Sequence, residues 1–211
     1  ATQLGTMAKG GYEYDGKTYD SKFDHVEGYN ACIDCHDSHT LEVKVEECTV
    51  CHTDVTSVED FANVRMAGSL VDYDGDGDME EGIYFEIEGL SEMLFAAMTA
   101  YANEVTGTPI GYGSNHPYFF IDGDGDGVIS EEEGVRDNSY NAWSPRLAKA
   151  AYNYQVSLKD PGRFAHGGKY IIQLLYDSIE DLNGALAEPV DLTNARRIDH
   201  GHFAGSEEAF R

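Results

Sequence analysis

The central part of the chain contains three stretches in which apolar residues recur every three or four positions. The first extends from residue 86 to residue 105, with apolar side chains at Ile87, Leu90, Leu94, Ala97, Met98, Tyr101 and Val105. Residues at this spacing share one face of an α-helix, so the pattern predicts an amphipathic helix that buries that face.

Two further helices are predicted towards the C-terminus. One begins at Ser144, a side-chain N-cap with Pro145 at the first helical position, and ends before Pro161. The other follows a Gly-Gly pair at 167–168 and ends near Gly184; its apolar face comprises Ile171, Leu174, Leu175, Ile179 and Leu182. Three such helices can bury a common core, so the fold class is predicted to be mainly α.

The two ends of the chain lack this periodicity. Residues 1–65 are polar and rich in Tyr, Gly, Asp and His, and an alternation at Val43 and Val45 indicates a short extended link. We therefore divide the chain into an irregular N-terminal segment (1–65), a packed helical domain (66–188) and a C-terminal tail (189–211). The tail is polar and aperiodic, and contact with a neighbouring subunit is one interpretation of it.

The charge of the chain limits its partners. Lys and Arg number 14 and Asp and Glu number 39, which gives a net charge of −25. Nucleic acid is excluded as a partner because phosphate contacts require Lys and Arg, and an anionic membrane surface is disfavoured. No apolar run approaches the roughly 20 residues that span a bilayer, so membrane insertion is not expected. Divalent cations would reduce the repulsion between so many carboxylates.

All four cysteines lie in NACIDCHDSHTLEVKVEECTVCH, residues 30–52. They form two Cys-x-x-Cys-His units, Cys32/Cys35/His36 and Cys48/Cys51/His52. In such a unit the two thiols can form thioethers with the vinyl groups of haem, and the adjacent histidine becomes an axial ligand of the iron. The sequence therefore predicts two covalently attached haem c groups.

Two other interpretations of the cysteines remain open at this point. The spacing C-x2-C-x12-C-x2-C is compatible with a zinc ribbon, and the same four residues could form two disulfides. Neither alternative requires a histidine directly after each pair, and here both pairs have one. This favours haem.

Each haem iron needs a sixth ligand. The histidines outside the two units are His25, His39, His116, His166, His200 and His202. We predict bis-histidine ligation with His25 and His39 as the first choices for the distal position, and with His166 and His202 in reserve. Met66 is a weaker candidate.

A calcium loop is predicted at DGDGDGVISEEE, residues 122–133, which matches D-x-[DN]-x-[DN]-G-x5-E throughout. A solvated acidic turn is the alternative. Gly127 allows the sharp turn, and Ile129 is expected to point inward. The predicted ligands are Asp122, Asp124, Asp126, the carbonyl of Val128, Ser130 and Glu133.

A looser copy of this loop occurs at VDYDGDGDMEEG, residues 71–82. Its position 12 is Ile83, so the usual bidentate glutamate is missing, and Glu81 or Glu86 is expected to substitute. Neither loop is flanked by long helices on both sides, which is typical of weak extracellular calcium sites rather than of sensors. The other candidate ligands are Asp72, Asp74, Asp76, Asp78 and Glu80.

Several stretches together resemble a module of bacterial multihaem c-type cytochromes. They are CIDCHDSHTLEVKVEECTVCH, DYDGDGDMEEGIYFEIE, NHPYFFIDGDGDG, SPRLAKAAYNYQ and FAHGGKYIIQLLYDSIEDL, and the resemblance covers roughly residues 10–185. It implies electron transfer, haem c at both Cys-His units, and a periplasmic or extracellular location. The start at Ala1 fits a mature product whose leader has been removed. The chain departs from larger relatives in having two haem motifs.

The resulting prediction is a secreted electron-transfer protein: an irregular dihaem-binding segment joined to a small helical domain with calcium-binding loops. Its partners would be a redox protein or an extracellular electron acceptor, and identical subunits that stack into a homo-oligomer or filament would form a haem wire. Two alternatives are a haem enzyme, such as a peroxidase or small-oxyanion reductase, and a calcium-dependent structural module.

Overall fold

A computed structural model of the chain describes residue 6 and residues 8–20, 25–26, 28–65 and 71–197. Two parts differ in character. We call residues 28–65 the Cys-His segment and residues 71–197 the helical domain.

The helical domain contains the three predicted helices. They are α3 (Ile83–Tyr101), α4 (Pro145–Lys159) and α5 (Arg163–Asn183). The hydroxyl of Ser144 accepts a hydrogen bond from the Leu147 N–H at 3.1 Å, which confirms the predicted N-cap of α4. Helix α5 packs against both α3 and α4, and the buried faces of all three meet in one core.

The boundaries differ from the prediction in two places. Helix α5 begins at Arg163, before the glycine pair, and is kinked at Gly167 where the backbone leaves the helical region. Helix α3 ends at Tyr101 and continues as a π-helical turn, Ala102–Thr106, which stops at Gly107 with a positive φ of 70°. The wider π turn rotates the chain out of register, and Val105 is therefore 49% exposed instead of buried.

A β-hairpin that the periodicity did not reveal precedes the second acidic loop. Strands β1 (Ile110–Tyr112) and β2 (Phe119–Ile121) pair antiparallel, and the connection contains a cis His116–Pro117 bond. Each strand has three residues, too few to show a period of two. The hairpin places Asp122, the first residue of the loop, directly at the end of β2.

The Cys-His segment is irregular, as predicted. It contains two single-turn helices, α1 (Cys32–Cys35) and α2 (Val45–Cys48), and one 3₁₀ turn, Glu59–Asn63. Val43 forms an isolated antiparallel bridge with His36, whereas Val45 begins a helical turn rather than extending the link. The 3₁₀ turn lies against the start of α3 at Gly82, where an added Cβ would collide with the Ala62 carbonyl.

Residues on both sides of the Cys-His segment pack on the helical domain. Near the N-terminus, the Tyr12 N–H donates to the side chain of Asn153 at 2.7 Å, and the Tyr19 hydroxyl donates to Asp177 at 2.6 Å. Near the C-terminus, Arg197 donates to the same buried Asp177 at 2.7 and 2.8 Å. The described part of the predicted tail thus lies along its own subunit, and residues 198–211 lie outside the described residues.

Candidate haem and cation sites

The two Cys-x-x-Cys-His units share one backbone conformation. The His36 N–H donates to the Cys32 carbonyl at 2.8 Å, and the His52 N–H donates to the Cys48 carbonyl at 2.9 Å. Each histidine therefore lies one helical turn after the first cysteine of its unit. No disulfide joins the four cysteines, and burial raises the pKa of the Cys35 and Cys48 thiols.

The ring of His36 is held with one nitrogen occupied. Its Nδ1 lies 2.9 Å from the backbone carbonyl of Leu41, on the loop that the His36–Val43 bridge closes. Because a carbonyl can only accept, Nδ1 carries the proton and donates, and Nε2 keeps its lone pair. This is the tautomer that an axial ligand requires, and the Leu41 carbonyl that fixes it was not predicted from the sequence.

Each of these two histidines faces a second histidine. The ring centroids of His36 and His166 are 6.2 Å apart, and those of His52 and His25 are 5.8 Å apart. Two imidazoles on opposite sides of one metal ion have a similar separation: metal–nitrogen bonds of about 2.0–2.1 Å and roughly 1.2 Å from nitrogen to ring centre give about 6.4 Å. The centroid separations of both pairs are close to this value.

His166 lies in the first turn of α5 and is fixed by a buried carboxylate. Its Nδ1 is 2.8 Å from Oδ1 and 3.0 Å from Oδ2 of Asp160, a residue with no exposed surface. The remaining nitrogen, Nε2, is thereby free for a ligand. Gly162 lies beneath the ring, and a Cβ added there would be 2.7 Å from the His166 Cε1.

The other predicted distal ligands are placed differently. The pKa of His25 is lowered, first by desolvation and then by the charge of the nearby His52. His39 is exposed, with its Nδ1 3.1 Å from the hydroxyl of the adjacent Ser38. His202 and Met66 lie outside the described residues. The structure therefore brings His25 and His166 towards the Cys-His units, and His166 was a reserve choice.

The surface around the two units is unusually apolar for so polar a segment. Exposed large apolar side chains are normally scattered, and a concentration of them indicates a surface that something covers. Between residues 25 and 65 the exposed ones are Val26, Ile33, Leu41, Val50 and Val58. These side chains leave apolar surface in the segment that contains both units, and a porphyrin is a large apolar group that could cover such surface.

The cysteines do not converge as they do in a zinc ribbon. Within the described ranges, three groups of potential metal ligands have atoms within 4.8 Å of one another, and every member of these groups is a carboxylate. A zinc ribbon requires four thiolates around one ion. The geometry of the described residues thus favours two separate Cys-His units.

One carboxylate group lies in the second acidic loop, where Asp122, Asp124 and Glu133 converge. Hydrogen bonds to the Asp122 side chain hold the loop backbone in its turn. Its two oxygens accept from the N–H groups of Gly125 and Gly127, at 2.9 Å each. Both glycines have positive φ angles, 74° and 83°, which other residues adopt only with strain. The loop is therefore shaped with its carboxylates directed at one point.

Glu133 closes this loop from the far end. Its Oε1 accepts from the Gly123 N–H at 2.8 Å, and its Oε2 accepts from the N–H and hydroxyl of Ser130 at 3.1 and 2.9 Å. These hydrogen bonds lower the pKa of Glu133, which keeps it ionised. Ile129 points inward as predicted, where its side chain leaves no room for a Cβ at Gly111 of β1.

The first acidic loop has the same internal hydrogen bonds. Asp72 accepts from the N–H groups of Gly75 and Gly77, as Asp122 does at the matching positions of the second loop. Asp76 accepts from the Asp78 N–H at 2.7 Å, matching the bond from Val128 to Asp126 at 2.8 Å. The two loops therefore share a backbone conformation although only one has a glutamate at position 12.

The structure distinguishes the two expected substitutes for that glutamate. Glu86 converges with Asp72 and Asp74, but it is buried and already occupied, because it accepts from the Tyr73 N–H at 2.6 Å and forms an ion pair with Arg65. Glu81 converges with Asp74 and Asp76, and its Oε1 is buried with no hydrogen-bond partner. A buried carboxylate oxygen without a hydrogen-bond partner, close to two other carboxylates, is suited to binding a cation.

Burial, and after it the neighbouring charges, raises the pKa values of two carboxyl groups in this cluster. The pKa of Asp74 is raised to about 6, first by desolvation, and that of Glu81 to about 7 by desolvation and by the neighbouring aspartates. Asp74 is buried against Gly89 of α3, and Gly75 is covered by the backbone of Ala195. The first loop is thus built into the helical domain, whereas the second lies on its surface.

None of the helices in the described residues combines the length and apolar character needed to cross a membrane.

Comparison with known proteins gives a partial match. The chain is 30% identical over 129 residues to the C-type polyheme cytochrome OmcC of Geobacter sulfurreducens, an alignment that covers 53% of this chain and 17% of that protein. It is 28% identical over 122 residues to the C-type polyheme cytochrome OmcB of the same species, covering 51% of this chain and 16% of that protein. The chain thus matches about a sixth of the length of each relative.

No family model matches the chain, and no solved structure matches it. The similarity to the two polyheme cytochromes is low and covers about half of the chain. The chain itself contains two Cys-x-x-Cys-His units, the type that attaches haem c. This weak homology supports a relationship of the chain to the multihaem c-type cytochromes.

Proposed function

We propose that this chain is an electron-transfer protein that carries two covalently attached haem c groups, each with two histidine ligands. The observation that carries the proposal is the pair of facing histidines at each Cys-His unit, with ring centroids 6.2 and 5.8 Å apart. Haem supplies one-electron chemistry at its iron. The chain supplies the attachment, the ligands and the surroundings.

The ligands are assigned as two sets. Cys32 and Cys35 attach the first haem, with His36 as its proximal ligand and His166 as its distal ligand. The second haem is attached by Cys48 and Cys51, with proximal His52 and distal His25. In this assignment each distal ligand comes from outside the Cys-His segment, and His166 ties the segment to α5.

Histidines on both faces favour electron transfer over catalysis. A haem enzyme needs an iron position that substrate can enter, and two histidine ligands occupy both axial positions. Bis-histidine ligation also changes little between the two oxidation states, so electron exchange requires little rearrangement. The peroxidase and reductase alternatives require one of the two pairs to be absent.

The test uses the full chain expressed with haem attachment. We expect an intact mass equal to the polypeptide plus two haems and a low-spin spectrum for both. His166→Ala and His25→Ala should each convert one haem to a high-spin spectrum, whereas His116→Ala, in the hairpin connection, should leave both low-spin. A polypeptide without haem would contradict the proposal, and a high-spin haem in the unaltered protein would favour the enzyme.

We further propose that both acidic loops bind calcium. Asp122, Asp124, Asp126, Ser130, Glu133 and the Val128 carbonyl would hold the ion in the second loop, and Asp72, Asp74, Asp76 and Glu81 would hold it in the first. Support comes from the shared hydrogen-bond pattern and from the orphaned Glu81 Oε1. Calcium takes six to eight oxygen ligands, so other oxygens, such as those of Asp78, Glu80 or water, complete the first site.

Calcium titration by calorimetry tests this assignment. We expect two binding events, one removed by Glu133→Gln and the other by Glu81→Gln. Glu132→Gln changes the same charge next to Glu133 but lies at a non-ligand position of the loop, so it should keep both events. A single event that Glu81→Gln does not affect would remove the first loop from the proposal.

An exported, periplasmic or extracellular location is part of the proposal, since weak calcium sites fill where calcium is plentiful. The partners would then be another redox protein or an extracellular electron acceptor. Identical subunits could also extend the two-haem path by stacking. Electron micrographs of the purified holoprotein decide this last point: filaments are expected for a wire, and single small particles would exclude it.

A further inference from the structure

Asp160 occupies a position that the proposed haem ligation does not itself require. It follows the last residue of α4, is fully buried, and accepts a hydrogen bond at both oxygens from Nδ1 of His166. Its Oδ1 also accepts from the Gly162 N–H at 3.0 Å. The charged group near it is the buried Arg163, whose own side chain donates to Ser157 at 3.1 Å. Burying a carboxylate is costly unless it is well bonded, which suggests a role for this one.

The effect of a carboxylate on a metal-bound histidine follows from charge. A carboxylate that accepts from the far nitrogen fixes the ring orientation and makes the ligating nitrogen more basic. A more basic ligand stabilises the oxidised iron, which has one more positive charge than the reduced iron. The negative charge of Asp160 acts in the same direction, and its burial strengthens the interaction.

In the His36–His166 pair, the hydrogen-bond partner of His36 is neutral, unlike Asp160. His36 donates its Nδ1–H to the Leu41 carbonyl, a dipole without net charge. Asp160 is therefore the group at this pair through which the sequence can adjust the charge on a ligand. Gly162 contributes separately, because its lack of a Cβ leaves room for the His166 ring.

We propose that Asp160 is a positioning residue that orients His166 towards His36 and lowers the reduction potential of the haem attached at Cys32 and Cys35. This inference rests on the proposed function, because it requires His166 to be the distal ligand of that haem. It adds the residue that sets the potential of one of the two haems.

The test is spectroelectrochemistry of the dihaem protein with Asp160→Asn. The amide can keep a hydrogen bond to Nδ1 but carries no charge, so both haems should stay low-spin. One of the two potentials should rise, with the reduction equilibrium changing roughly tenfold, which is about 59 mV for one electron. The other potential should not change.

Asp177→Asn is the matched control. Asp177 is also buried, and it is bonded to Tyr19 and Arg197. It lies 11 residues beyond His166 along α5, or about 16 Å at 1.5 Å per residue. Removing the charge of Asp177 should lower the stability of the fold and leave both reduction potentials unchanged. If Asp160→Asn changes neither potential, or changes both equally, the inference is wrong.

The outcomes separate this inference from the proposed function. A protein in which His166→Ala leaves both haems low-spin would remove the ligand assignment itself. One in which His166→Ala yields a high-spin haem while Asp160→Asn has no effect would remove only the role of Asp160. Should Asp160→Asn fail to fold, Asp160→Ser also removes the charge and has a smaller polar side chain; unchanged potentials in that variant overturn the inference.

Discussion

The Cys-His segment and the helical domain are parts of one acidic chain, but different interactions hold them. In the helical domain three helices bury a continuous apolar core that includes Ile87, Leu94 and Leu175, each with no exposed surface. In the Cys-His segment, residues 28–65, Val55 is the one buried residue, and the apolar side chains Ile33 and Val50 are 63% and 81% exposed. The difference shows that a buried apolar core holds the helical domain, whereas the Cys-His segment has almost none of its own.

A segment that buries so little cannot offset the conformational entropy of its ordering by itself. Its fixed points are single-turn helices and side-chain caps, such as the Asp60 carboxylate that accepts from the N–H groups of Thr56 and Ser57 at 2.8 Å each. Covalent attachment and axial ligation would supply the missing constraint. The predictions below test this division, from the largest expected effect to the smallest.

The largest effect is expected from removing one attachment site. In Cys48→Ser/Cys51→Ser the second haem should be lost, and the amide of His52, bonded to the Cys48 carbonyl, should exchange its hydrogen almost as fast as in an unfolded peptide. Hydrogen exchange followed by mass spectrometry measures this. Amides of α3 should stay protected, and simultaneous loss of their protection would show that the two parts are not independent.

A cavity in the core should destabilise the helical domain and leave the haem ligation of the Cys-His segment unchanged. Leu94→Ala removes a fully buried side chain, and the free energy of unfolding of the helical domain should fall by about 2–5 kcal/mol. Denaturant unfolding measures the change, and the low-spin spectrum should persist up to the start of the transition. Val135→Ala is the control, because that side chain is 46% exposed and its loss should cost less than about 0.5 kcal/mol.

Calcium should stabilise the helical domain by an intermediate amount. Each loop with a dissociation constant of roughly 10⁻⁴ to 10⁻³ M should add about 1.4–2.7 kcal/mol to the free energy of unfolding at 10 mM calcium, and the contributions of the two loops should add. Denaturant curves in calcium and in chelator measure the difference. Equal curves in calcium and in chelator would show that neither loop binds calcium. If calcium changed only the hydrogen exchange of the Cys-His segment, the ion would stabilise that segment and not the helical domain.

The smallest effect concerns pH in the calcium-free protein. Acids with raised pKa values, about 6 for Asp74 and about 7 for Glu81, bind protons more tightly in the folded state. The unfavourable contribution of these two carboxylates to stability is therefore absent below about pH 4 and grows as the pH rises to about 7. Lowering the pH from 7.5 to 5 should stabilise the fold by about 1–2 kcal/mol after allowance for solvent screening.

His25 has the opposite effect, because its lowered pKa makes the fold less stable as the pH falls. Glu81→Gln isolates the contribution of Glu81 from that of His25. The variant should be more stable than the wild type at pH 7.5 without calcium and should depend less on pH between 5 and 7. Thermal unfolding across this range measures both. In calcium the wild type should show the reverse trend, because protons compete with the ion for Asp74 and Glu81.

Sequence and structure agree best where the signal is local. The Ser144 cap, the inward Ile129 and the irregular Cys-His segment all follow from residues within a few positions of one another. The hairpin was missed because its strands are three residues long, and Val105 was misplaced because a π turn changed the helical register. Both misses are local features too short for a periodic pattern to reveal.

The sequence by itself determined the two Cys-x-x-Cys-His units, the three helices and the complete second acidic loop, because each depends on fixed spacings along the chain. Tertiary structure decided which histidine faces which unit, since His166 follows His36 by 130 positions (166 − 36) and reaches it through the packing of α5. It likewise left Oε1 of Glu81 without a hydrogen-bond partner in the first loop, whereas Glu86 is occupied by its ion pair with Arg65. Spacing carries no information about such contacts, which exist only once the helices have packed.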